Sequence, residues 1–208
     1  GSDTGGSTRA PAVFCGIVGL KPTTTRMPSD GIYPLSTSFD AAGPMGHSTD
    51  CCAVMDDIMA GGAGRAETPF PAAGLRLAIP SGYLFDELDP EVAAGFEAAV
   101  ARLSAAGATI SDISLDILED LRPANRPKSI VSAEAFAIHR DQLAARRDGY
   151  DPYVATRLDG GSDILAADYI AMHRERDATC AAVQAVTRPF DALVPVSYTH
   201  LRAHETCH

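Results

Sequence analysis

The stretch Gly1-Ser-Asp-Thr-Gly-Gly-Ser-Thr-Arg9 decides how the rest of the chain is read. Gly5 and Gly6 carry no Cβ and reach backbone conformations closed to other residues. Successive N–H groups in such a stretch can converge on one point and hold an anion. Ser7 follows at once and can present its hydroxyl at the same place. A nucleophile beside convergent donors is the kernel of an acyl-transfer site. The plain alternative is a Gly/Ser turn, which composition alone favours. Two familiar motifs are excluded by single residues. A Walker A loop needs Lys after its last glycine, where this chain has Ser7 and Thr8. A nucleophile elbow needs Gly two residues after the serine, where this chain has Arg9.

The longer run Gly1-Ser-Asp-Thr-Gly-Gly-Ser-Thr-Arg-Ala-Pro-Ala-Val-Phe-Cys-Gly-Ile-Val-Gly-Leu-Lys-Pro-Thr23 resembles the signature of the amidase signature family of serine hydrolases. Ser38-Phe-Asp-Ala-Ala-Gly-Pro-Met45 resembles that family's next block, and the similarity of layout continues to about Pro195. The resemblance implies an α/β fold: a partial amidase-signature fold with a mixed β-sheet flanked by α-helices. It implies a hydrolase that cleaves a carboxamide to acid plus ammonia or amine. Family members use a Ser-Ser-Lys triad. A neutral lysine deprotonates a middle serine, which takes the proton from the nucleophile. The nucleophile attacks the amide carbonyl, and water later releases the acid from the acyl-enzyme. Carried over by motif position, Ser7 is the nucleophile. The backbone N–H groups of Thr4, Gly5, Gly6 and Ser7 form the oxyanion hole. Asp3 and Arg9 support the loop by hydrogen bonds.

In the family, the lysine and the middle serine lie upstream of the signature, and position 1 lies inside it. The chain is therefore expected to be the C-terminal part of a longer enzyme, without turnover by itself. Its only lysines are Lys21 and Lys128. Lys21 occupies the signature's Leu-Lys-Pro position, and Lys128 matches nothing. An alternative is the amidase component of a tRNA-dependent amidotransferase, which shares the motif and passes ammonia to a partner. The run Gly31-Ile-Tyr-Pro-Leu-Ser36 looks more like the free amidases. A non-catalytic relative is the third reading, and the intact Ser7 argues against it.

With 208 residues, 46% hydrophobic content and 21% charge, the chain suits one globular domain with a sizeable core. A net charge of −10 argues against a nucleic-acid surface. No apolar run is long enough to span a membrane, and no signal peptide is legible. Cys15, Cys51, Cys52, Cys180 and Cys207 are scattered and read as free thiols of a cytoplasmic protein. The expected partner is a small-molecule amide, with room for a homodimer. No cofactor and no metal are expected. Residues 1–195 read as the amidase part. Residues 196–208 read as a non-native tail that looks like translated sequencing-adapter read-through. His200, His204, Cys207 and His208 have a spacing that invites zinc, and the tail's origin argues against it.

Periodicity and breakers outline the elements. Thr8 to Cys15 reads as a short helix, and Ile17–Leu20 as a buried strand. Residues 23–48 read as irregular loop; within them Asp40 invites a triad or a turn role, and His47 a general-base or a surface role. Thr49 or Asp50 caps a helix to about Ala60. Leu75–Ile79, closed by Pro80, then a helix from Pro90 to Ala106, then a strand from Thr109 to Leu115, suggest a parallel βαβ unit. Residues 116–128 read as loop, broken by Pro123 and Pro127. Ser129 to Arg147 reads as a helix in which Glu134 and His139 lack metal-pair spacing. A short helix or loop follows at 150–158. Ser162 or Asp163 then caps a long helix to about Val186. Phe190–Val194 reads as a last buried strand.

Overall fold

Strands this short can persist only where two of them pair, and the first 65 residues show how. The computed structural model of the chain describes residues 1–65, 70–121 and 128–197. The expectations at Pro123, Pro127, His200, His204, Cys207 and His208 lie outside them. Strand β1 (Ser2–Asp3) leads into the Gly5-Gly6-Ser7 loop, and helix α1 (Arg9–Phe14) follows. The strand expected at 17–20 narrows to β2 (Val18–Gly19), which is half-buried. Residues 23–48 are not wholly irregular. They contain β3 (Ala41–Ala42), antiparallel to β1 with Asp3 opposite Ala41, and β4 (Met45–Gly46), antiparallel to β2. Their composition hides these strands because two-residue ladders carry no alternation to read. Gly43 lies between the ladders, where a Cβ would come within 2.0 Å of the Leu20 carbonyl oxygen. Helix α2 (Thr49–Met59) is capped by Ser48, not by Thr49 or Asp50. Ser48 has the extended backbone of a cap, and its Oγ accepts from the Cys51 N–H at 3.2 Å.

The second unit is the expected βαβ. Strands β5 (Arg76–Ser81) and β6 (Thr109–Ser114) run parallel, with α3 (Pro90–Ala105) between them in sequence. Strand β7 (Ala192–Leu193) pairs parallel with the other side of β5, giving the order β6-β5-β7. Pro80, expected to close β5, lies inside it. The Arg76 and Ala78 carbonyls bond to Asp191 and Val194 on the β7 side, so by alternation Pro80 also faces that side. Its missing N–H falls just past the end of β7, where no ladder bond is required. Asp89 caps α3. At the other end Gly107, at φ 94°, donates to the Ser104 carbonyl while Ala108 donates to Leu103. This double bond pattern satisfies the last helical carbonyls with a left-handed residue that only glycine adopts cheaply. Val92, Phe96, Val100 and Leu103 form the half-buried face of α3, with the Phe96 ring edge-on to Phe85.

Residues 116–121 form a 3-10 turn where loop was expected. Helix α4 (Ile130–Arg146) is capped by Ser129 and packs on α5 (Pro152–Asp159), capped by Asp151. Ala135, Leu143, Ala155 and Leu158 are buried between these two helices, with Tyr150 against them. The long helix α6 (Ala166–Thr187) begins after Leu165, not at Ser162 or Asp163. Residues 160–164 are taken up by successive turns, and the Asp163 carboxylate pairs with Lys128 at 2.8 Å. The strand expected at 190–194 is only the edge strand β7, exposed to half-buried. The fold is α/β, a parallel sheet flanked by helices with two small antiparallel ladders at the N-terminal side. Among the described residues, no helix is long and apolar enough to cross a membrane.

Candidate functional site

Asp3 is fully buried, and its carboxylate gathers the loop that follows it. Oδ1 accepts from the Gly6 N–H at 2.7 Å and from Arg9 Nη2 at 3.0 Å. Oδ2 accepts from the Thr8 and Arg9 N–H groups at 3.2 and 3.3 Å and from Arg9 Nε at 3.0 Å. Burial pushes this carboxyl up. The Arg9 guanidinium and the Gly6 and Thr8 amides outweigh it and hold the group at about 2. Asp3 is thus ionised at any ordinary pH, and the loop is wound around a fixed negative charge.

Winding the chain around Asp3 turns Ser7 outward. Ser7 is exposed, while Thr8 beside it is fully buried at the start of α1. The reversal runs through Gly6, whose φ of 127° is open to glycine and strained for other residues. The Gly6 carbonyl accepts from the Ala10 N–H at 2.7 Å, which locks the loop to the helix. One expected oxyanion donor is diverted. The Gly6 N–H points to Asp3, because a permanent carboxylate three residues back satisfies it within the turn. The other N–H groups expected in the hole are those of Thr4, Gly5 and Ser7. Gly5 is exposed, and a Cβ there would meet nothing within 4 Å. A hollow of about 660 Å³ adjoins the loop's first strand, lined by Ser2, Thr24, Met27, Ile32, Thr37 and Asp40 among others.

Asp40 has a turn role that reaches the loop. Its Oδ2 accepts from the Leu35 and Ser36 N–H groups at 2.8 and 2.9 Å, and its Oδ1 accepts from the Thr4 hydroxyl. His47 is exposed, which fits the surface reading. His139 bonds to the Tyr150 hydroxyl at 3.0 Å through Nδ1. Glu134 is the residue whose importance the sequence does not announce. It is buried on α4 and accepts from the hydroxyls of Ser36, Ser38 and Tyr169 and from the Ser38 N–H. Its partners are far away in sequence, so no local pattern marks it. The one available signal is a lone acid among apolar residues, Ala133, Ala135 and Phe136, on a helix that buries one face.

The amidase family model matches residues 1–206. An amidase from Pseudomonas putida is 33% identical over 208 residues, covering 93% of this chain and 44% of that protein. A glutamyl-tRNA(Gln) amidotransferase subunit from Methylococcus capsulatus is 43% identical over 128 residues, 55% of this chain and 26% of that protein. A crystal structure of an amidase superposes with a TM-score of 0.82 at 31% identity, covering 98% of this chain and 46% of that one. The chain spans less than half the length of these relatives.

Proposed function

The chain belongs to the amidase family, and from that premise we propose that Ser7 is the nucleophile of a hydrolase acting on a small carboxamide. Ser7 Oγ attacks the carbonyl carbon, and the developing oxyanion is met by N–H groups of Thr4, Gly5 and Ser7. The C–N bond breaks, the amine leaves with a proton, and water releases the acid from the Ser7 ester. Losing one such donor costs about 3 kcal/mol of transition-state stabilisation. The observation that carries this reading is the fully buried Asp3, clamped by Arg9 and the loop amides, which fixes an exposed serine at the edge of a Gly-Gly turn.

Ser7 needs a base, and the chain's own lysines do not serve. Lys128 Nζ pairs with Asp163, and Lys21 belongs to the Leu-Lys-Pro part of the signature. The activating lysine and middle serine are therefore assigned to sequence preceding Gly1 in a longer enzyme, and the chain by itself is expected not to turn over. The test is labelling of that enzyme by a serine-directed fluorophosphonate. Label that is lost in Ser7→Ala supports the reading; label retained in Ser7→Ala overturns it. Ordinary turnover of primary amides by the 208-residue chain would overturn the assignment of the base.

The 43% identity to the amidotransferase relative supports a second reading, in which the released ammonia passes to a partner protein. Purification of the longer protein separates the two. A stoichiometric partner and glutamine-dependent amidation favour the amidotransferase; a free enzyme that releases ammonia favours the amidase.

A further inference from the structure

We propose that Glu134 is a positioning residue for the oxyanion loop, acting on Thr4 through Ser36 and Asp40. The proposal rests on the amidase reading of that loop and adds to it a residue outside the two runs, 1–23 and 38–45, that carry the resemblance. Glu134 is 8% exposed and takes no part in the acyl-transfer steps. Burying a carboxylate is costly unless its oxygens are satisfied. Here Oε1 takes the Ser38 and Tyr169 hydroxyls, and Oε2 takes the Ser36 hydroxyl and the Ser38 N–H. All four donors are neutral, so the charge is held by hydrogen bonds alone. Burial pushes this carboxyl up, and the Ser36, Ser38 and Tyr169 donors bring it below its ordinary value.

Those donors lie on a turn that also grips the nucleophile loop. Ser36 is fully buried, and its carbonyl closes the turn by accepting from the Phe39 and Asp40 N–H groups at 3.1 and 2.8 Å. The Asp40 carboxylate holds the Leu35 and Ser36 amides from inside the turn and the Thr4 hydroxyl from outside it. The next residue, Ala41, is paired with Asp3 across the β1–β3 ladder. A continuous path of hydrogen bonds thus runs from α6 and α4 through the 35–40 turn to Thr4. Thr4 is a donor of the oxyanion hole, where a misplacement of about 1 Å is enough to cost about 100-fold in rate. Asp3 shapes the loop from within, and Glu134 fixes where its outer end sits against the body of the protein.

Hydrogen exchange of the 208-residue chain, read on peptides covering residues 1–9 and 35–42, tests the coupling. Glu134→Gln halves the acceptor capacity of the site, and exchange in both peptides is expected to rise about tenfold, the scale of a lost buried hydrogen bond. Tyr169→Phe, which keeps the carboxylate, is expected to give a smaller rise in the same two peptides. It decides the matter should Glu134→Gln also loosen the sheet peptide 75–82. A purely scaffolding role is separated by Thr4→Val, which cuts the side-chain link to Asp40 and leaves the β1–β3 ladder as the other connection. In that background Glu134→Gln is expected to give a clearly smaller rise in peptide 1–9 while still loosening 35–42, whereas in Thr4→Ser the full response returns. An unchanged peptide 1–9 in both Glu134→Gln and Tyr169→Phe overturns the proposal, as does an undiminished response in Thr4→Val. Fluorophosphonate labelling of Ser7 in the longer enzyme reports on the amidase reading independently of these exchange rates.

Discussion

The Ser7 loop and the 35–40 turn are each tied to a buried carboxylate, and the two are built in opposite ways. Asp3 draws its partners from within six residues, and one of them is the guanidinium of Arg9. Glu134 draws its partners from positions 35 to 98 residues away, and all of them are neutral. The first arrangement is a local knot that can form as soon as its own segment turns. The second exists only after α4, α6 and the 35–40 turn have come together. For the proposed acyl transfer, a local knot suits a loop that has to hold one shape. A long-range hub suits the task of setting that loop against the rest of the fold.

The contrast is broken most directly at Asp3. Asp3→Ala removes the carboxylate to which the Arg9 guanidinium and several loop amides donate, and we expect a loss of about 3 kcal/mol in urea unfolding. A loss under about 1 kcal/mol, the scale of an ordinary exposed ion pair, would mean the knot is ornamental. The same carboxylate gives a pH signature. Its folded value of about 2 lies below the ordinary 3.8, so its stabilisation is whole above about pH 4 and is lost as pH falls through 2. The stability gap between the parent chain and Asp3→Asn should therefore be constant from about pH 7 to 5 and close towards about pH 2. A gap that widens on acidification would contradict the ionised knot.

Next in size is the hub's surroundings. A Cβ on Gly161 would lie 2.0 Å from the Ser132 carbonyl oxygen and 2.8 Å from Phe136 Cβ, so the turn and α4 cannot both keep their places. Gly161→Ala is expected to cost about 2 kcal/mol. It should loosen the 129–146 and 166–187 peptides in hydrogen exchange and leave residues 10–20 protected. Equal loosening of 10–20 would show that the two regions are one cooperative unit. The smallest effects separate neighbouring glycines. Gly6→Ala forces a side chain into a positive-φ backbone and should cost about 1 kcal/mol. Gly5→Ala meets no atom within 4 Å and should stay within a few tenths of a kcal/mol in thermal unfolding. Equal costs would mean the loop does not turn at Gly6.

The elements legible in the sequence are those with a repeating or punctuated local signal. Val92, Phe96, Val100 and Leu103 at helical spacing mark α3, Gly107 marks its end, and the apolar run Leu75–Ile79 with the alternating segment Thr109–Leu115 marks the parallel pair β5–β6. Caps are less legible. Ser48, Thr49 and Asp50 all have suitable side chains, and only backbone conformation picks Ser48. Pro80 reads as a stop because the sequence does not say that β7 is too short to need its N–H. Of the two small ladders only β2 is legible, inside the apolar run Ile17–Leu20; β1, β3 and β4 are invisible, since two residues have no period.

The same division runs through the site. The sequence by itself determined the Gly5-Gly6-Ser7 loop: Asp3, Gly5, Gly6, Ser7 and Arg9 lie within seven positions, and their shape follows from short-range bonds and glycine backbone freedom. Only the tertiary structure decided that the Gly6 N–H turns to Asp3 and that Asp40 serves the turn and Thr4. It alone brought Glu134 beneath that turn. The reason is physical. A side chain's options at short range are limited by the chain's own geometry, whereas a buried carboxylate accepts whichever donors packing delivers, and packing joins residues that sequence order keeps apart.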